Sequence, residues 1–257
     1  MARSILAVAF LLATAERVSA QHTHDHPTAA TPAPRSAPAA KPADWKAEAM
    51  ARHMAYSATR PLTPADSVRA TQVINELRQA VVRYQDVRLA EADGYRMFAP
   101  QIKNQPQYHF TKNWHAIRNS FGFDPARPTS LLYKRNERGE FVLTGAMYTA
   151  SKRTSEEDLD KRVPLGVARW HRHVNWCIPK RSEKDRWLEM KDSRPVFGPL
   201  GVSTEEECKA ADGRFIPQAF GWMVHANLLA GNDLRSIWHD DHMEHDHDAM
   251  LGTPKSP

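Results

Sequence analysis

Cysteine is scarce in this chain: its 257 residues include two, Cys177 and Cys208. One disulfide is therefore the most that cysteine can add, and a domain of this size must rest mainly on its core. Long apolar runs are also missing. After Ile5 to Ala13 no stretch approaches the roughly 18 apolar residues of a spanning helix, so no stable membrane insertion is expected. Blocks of one charge are absent as well. The 35 basic and 30 acidic residues give a net charge of +5 but are interspersed, which argues against a nucleic-acid partner. The chain has no G-x-S-x-G elbow, P-loop, G-x-G-x-x-G or H-E-x-x-H, so serine hydrolase, nucleotide-binding and zincin chemistry find no support. No internal repeat is visible.

The first twenty residues have the parts of a secretory leader. Met1-Ala2-Arg3-Ser4 precedes an apolar core, and Val18-Ser19-Ala20 is a small-x-small cleavage signature. Cleavage after Ala20 predicts a secreted or periplasmic protein. Residues 21–43 are rich in Pro, Ala and Thr with no hydrophobic period, which predicts a disordered linker. Residues 44–238 form the expected domain, helical over 44–95 and β-rich over 105–232, and 239–257 read as a flexible tail. Both ends are rich in histidine: His22, His24 and His26 in the linker, and His239, His242, His245 and His247 among acids in the tail. Such tails either capture divalent metal or are merely solvated.

Within the domain, Trp170 to Cys177 alternates like a strand. Period two turns Arg169, His171, His173, Asn175 and Cys177 one way and Trp170, Val174 and Trp176 the other. A second segment repeats the pattern, with Phe220, Trp222, Val224, Ala226 and Leu228 opposite Met223, His225 and Asn227. Two imidazoles on one strand stand roughly 6 to 7 Å apart, a span that a metal can bridge. A third imidazole, His225, would complete a three-histidine site with an open position, with Asn175 and Asn227 hydrogen-bonded behind the ligands and His109 as a further ligand or as a base beside them. Zinc, copper or non-haem iron suits such a site, and Met147 or Met223 would favour copper. The expected function is therefore an exported transition-metal-binding protein, acting on an unidentified small-molecule substrate if it is a metalloenzyme. Three alternatives stay open: hydrogen-bonded core histidines, a metal buffer working through the tails, and a metal-free small-molecule module with Trp170, Trp176 and Trp222 lining a groove. Export favours a Cys177–Cys208 disulfide, worth about 3 to 4 kcal/mol by loop closure. In the other reading Cys177 is a free soft ligand.

Thr63-Pro64-Ala65-Asp66 supplies an N-cap, a first-turn proline and an acid, and Val73, Ile74, Leu77, Val81 and Tyr84 follow at helical spacing. Shorter helices are predicted over Trp45 to Tyr56, which leaves His53 exposed, and over Asp86 to Asp93. Leu131 to Lys134 and Phe141 to Tyr148 flank Asn136 to Gly139 as a hairpin. Another helical turn covers Ser155 to Lys161. The charged stretch from Pro179 to Pro199 reads as surface loop, and Ser203 to Glu206 as a capping box for a helix carrying Cys208. These elements predict an α+β fold, with N-terminal helices packed on a mainly antiparallel β-sheet or partial β-barrel.

Tyr84-Gln85-Asp86-Val87, Ala92-Asp93-Gly94-Tyr95, His109-Phe110, Pro128 to Tyr133 and Gly145 to Tyr148 together resemble a set of secreted bacterial proteins of uncharacterised function. The resemblance implies no reaction. The H-x-H strand with Pro217, Gly221 and His225 is also similar to a cupin barrel, although no glutamate follows His173 at the short interval that cupins use.

Overall fold

Thr63 opens the longest helix. Its hydroxyl accepts from the Asp66 amide, and the Asp66 carboxylate accepts from the Thr63 amide at 2.7 Å. This reciprocal cap, with Pro64 at the first turn, starts α2 (Pro64–Val81), whose Ala70, Val73, Ile74, Leu77 and Val81 recur on one buried face. Each larger aliphatic side chain among them contributes about 1.5–3 kcal/mol on burial. The Arg60 guanidinium sits between Asp66 and Asp160, 2.6 and 2.8 Å away. Its hydrogen bond holds the Asp66 carboxyl well below the usual carboxylate range.

The computed structural model describes residues 45–100 and 104–238. In chain order, α1 (Trp45–His53) runs into β1 (Met54–Tyr56), and α2 is followed by α3 (Val87–Ala92) and β2 (Arg96–Met97). Next come β3 (Tyr108–Thr111), α4 (Asn113–Phe121), β4 (Ser130–Arg135), β5 (Phe141–Ala150), α5 (Glu156–Arg162) and β6 (His171–Ile178). A small hairpin, β7 (Met190–Lys191) and β8 (Arg194–Pro195), precedes α6 (Glu205–Ala210), β9 (Arg214–Gln218), β10 (Trp222–Asn227) and α7 (Leu234–Ile237). Seven strands follow the order β1-β6-β10-β5-β4-β3-β2, and β9 pairs with β6 to complete an eight-stranded sheet. Every pairing is antiparallel. The fold is thus α+β with a mainly antiparallel sheet that is not closed into a barrel, so the cupin likeness does not hold.

Alternation divides the sheet. Tyr108, Phe110, Leu131, Tyr133, Ala146, Tyr148, Val224 and Ala226 join the α2 residues and Trp170 in the main core. The other parity places His109, Leu132, Met147, Met223 and His225 on the opposite face.

Four local expectations are corrected. His53 is buried rather than exposed, with ring nitrogens 3.2 Å from the Val174 carbonyl and 2.9 Å from that of Gly201. Residues 113–121, expected within strand-rich sequence, form α4. The charged 179–199 segment is not all surface, because Val196 and Phe197 pack beside Cys177 and Cys208. The capping box before α6 pairs Thr204 with Glu207, one position later than Ser203 to Glu206 suggests.

Candidate functional site

Four imidazoles meet on the sheet face away from the main core. β3 supplies His109, β6 supplies His171 and His173, and β10 supplies His225. Ring centroids lie 6.0 Å apart for His109 and His225, 5.0 Å for His171 and His225, and 5.9 Å for His171 and His173. They share their face with an apolar cluster of Leu132, Met147 and Met223. Register explains the placement, since Met223 lies opposite His171 and Met147 opposite His225. Gly145 keeps the middle of the sheet tight: a Cβ there would come within 2.6 Å of the Ala226 carbonyl oxygen.

Two breaks in alternation complete the site. Asn175 has φ of 57°, a left-handed conformation that asparagine tolerates better than most residues. The strand changes partners nearby: β6 pairs with β1 through His173 and with β9 from Val174 onward. Trp176 consequently packs against His173, with ring centroids 5.2 Å apart, instead of facing away from it as strict alternation predicts. At Gly221 a Cβ would strike the Ala150 carbonyl oxygen. This close approach at the mouth of β10 accompanies a turn of Phe220 away from Trp222's face and onto His173, at 6.0 Å, and Trp176, at 5.4 Å. The sequence carries both signals, a left-hand-tolerant Asn and a Gly inside alternating segments, but period two alone hides Trp176 and Phe220.

The site grades from interior to surface. His171 is buried, His109, His173, His225 and Trp176 are partly buried, and Phe220 is exposed. Burial, together with the neighbouring His225, pushes His109 down to about 3, while a backbone hydrogen bond at Gln107 pulls the other way. His109 is therefore neutral at ordinary pH, able to donate from one ring nitrogen and accept at the other.

The three-histidine metal centre is not borne out. Among the described residues no group of three or more His, Cys, Asp or Glu side chains is arranged to hold a metal ion. The physical reason is the packing: neighbouring imidazoles meet tilted or edge-on, with ring centroids 5.0 to 6.0 Å apart. Met147 and Met223 belong to the apolar cluster beneath them. The expected supporting asparagines each make a hydrogen bond to the backbone. Asn175 Nδ2 donates to the Arg52 carbonyl at 3.1 Å, and Asn227 Oδ1 accepts from the Leu229 amide at 2.9 Å in the turn after β10. His115 packs edge-on against Tyr95, and its Nδ1 lies 3.0 Å from the Pro128 carbonyl. The aromatic groove of three tryptophans is also revised, because Trp170 and Trp222 belong to the main core and Trp176 alone reaches the site.

Cys177 and Cys208 form a disulfide, which takes Cys177 out of ligand chemistry and fits an extracellular or periplasmic protein. No helix among the described residues is long and apolar enough to cross a membrane. His22, His24, His26, His239, His242, His245 and His247 lie outside the described residues. Comparison with protein-family models, with curated proteins and with solved structures finds no match.

Proposed function

We propose that the protein is exported, with a leader cleaved after Ala20, and that its histidine-bearing sheet face binds a small aromatic molecule carrying hydrogen-bonding groups. One observation carries the reading: three strands converge four imidazoles on a face whose outer end is walled by Trp176 and Phe220. Neutral imidazole offers both a donor and an acceptor, which suits a phenol or an aromatic carboxylic acid. Aromatic walls add offset or edge-on stacking. Phe220, exposed, and His173 and Trp176, partly buried, are the side chains such a ligand would meet first.

The test is titration with a panel of phenols and aromatic carboxylic acids, with EDTA present throughout, following tryptophan fluorescence. Saturable quenching is expected for at least one class, with affinity about tenfold lower in His173→Ala and in Trp176→Leu, the loss of roughly one good contact. Absence of saturable binding across the panel, or equal affinity in both variants, refutes the reading.

A further inference from the structure

Helix α4 is turned inside out. Its inward side is polar: His115 Nδ1 lies 3.0 Å from the Pro128 carbonyl, and Asn119 Nδ2 donates to Thr129 Oγ1 at 3.0 Å. Its outward side is apolar, since Trp114, Ile117 and Phe121 stand three and four residues apart and are 60%, 50% and 89% exposed. A helix packed on a core for stability alone would carry the opposite pattern. Phe98, 54% exposed, adjoins Trp114 across a shallow cavity and widens the stripe into a patch.

Basic side chains bracket this patch at both ends. Arg96 and Lys112 line the cavity beside Phe98 and Trp114. Arg153, Lys161 and Arg162 line another beside Phe121; Lys161 is paired with Glu157 and Asp158 and Arg162 Nη1 donates to the Asn119 carbonyl at 2.6 Å, so Arg153 carries the charge at this end. The helix itself contains Arg118 and no acidic residue. An exposed tryptophan and phenylalanine on a short helix, framed by lysine and arginine, match the chemistry of a lipid interface: rings enter the headgroup region while cations meet anionic headgroups.

We propose that the α4 face docks the protein peripherally on an anionic lipid surface. The patch touches the histidine site at one point, where Phe98 packs edge-on against Phe220 with ring centroids 6.3 Å apart, and the rest of it lies on α4. Charge complementarity selects this occupant, because Arg96 and Lys112 at one end of the apolar stripe, Arg118 on the helix and Arg153 at the other end can meet lipid phosphates.

The test is sedimentation of the full chain with phosphatidylglycerol/phosphatidylcholine vesicles and with phosphatidylcholine vesicles, at low and high salt. Binding should be at least tenfold stronger to the anionic vesicles and weaken with salt. Ile117→Asp/Phe121→Asp should lower it at least tenfold with an unchanged circular dichroism spectrum. Brominated lipid should quench the wild-type fluorescence, and Trp114→Phe should lose most of that quenching. Both results place this face in the interface, whatever the N-terminal segment adds. Binding unaffected by the double variant, or quenching that survives in Trp114→Phe, overturns the proposal. So does a concentration-dependent dimer abolished by Phe121→Asp without lipid binding, which would assign the face to a second copy of the chain.

Discussion

Replacing His109 by glutamine should flatten the acid limb of the stability curve. In the folded protein burial and the neighbouring His225 push His109 down to about 3, whereas an unfolded histidine titrates near 6.5. Between those values the unfolded chain binds the extra proton, so stability rises with pH across the window and falls as the solution is acidified. The contribution is complete above about pH 6.5 and changes by about 1.4 kcal/mol per pH unit well inside the window. From pH 7 to pH 5 that amounts to a loss of about 2 kcal/mol, and to about 3 kcal/mol at pH 4. Urea unfolding at pH 7, 5 and 4 measures it directly. Wild type should lose about 2 kcal/mol more than His109→Gln between pH 7 and 5, whatever the variant's stability at pH 7. Parallel curves for the two proteins would refute the reasoning, because they would mean that His109 takes up its proton in the folded state as readily as in water.

Two further predictions concern the elements that frame the site. The disulfide joins residues 31 apart, so Cys177→Ala/Cys208→Ala should lose about 3.7 kcal/mol in urea unfolding by the loop-closure relation, and alkylation of non-reduced wild type should label neither cysteine; two labelled thiols would contradict the pairing. Asn175→Gly removes the bond to the Arg52 carbonyl but tolerates the positive φ, while Asn175→Ala removes the bond and strains the backbone, so the alanine variant should be about 1 kcal/mol the less stable of the pair. Equal stabilities would show that the turn in β6 is not held by backbone conformation.

Local chemistry made much of the fold legible in the sequence. The Thr63 to Asp66 cap and the helical spacing of Val73, Ile74, Leu77 and Val81 determine α2, because a cap and an apolar stripe are satisfied within one element. The hairpin of β4 and β5 follows from a turn sequence between alternating strands, and Gly139 takes the positive φ of that turn. Alternation also put His171, His173 and His225 on the face away from Trp170 and Trp222, and the cysteine count with an exported reading predicted the disulfide.

Tertiary structure decided the rest, at points where one element's outcome depends on another. Whether three histidines surround a metal depends on how neighbouring strands aim their rings, and the sheet sets them tilted or edge-on to one another. His53 is buried because carbonyls of Val174 and Gly201, more than a hundred residues away in sequence, receive its ring. Trp176 and Phe220 join the site because β6 turns at Asn175 where it exchanges partners and because Gly221 passes against the Ala150 carbonyl. Periodicity within a strand reports which face a side chain takes only while the backbone stays regular, and the left-handed residue and the close approach here are set by neighbouring strands. The sequence alone therefore determined which residues were available for chemistry, and packing between strands determined what they form together.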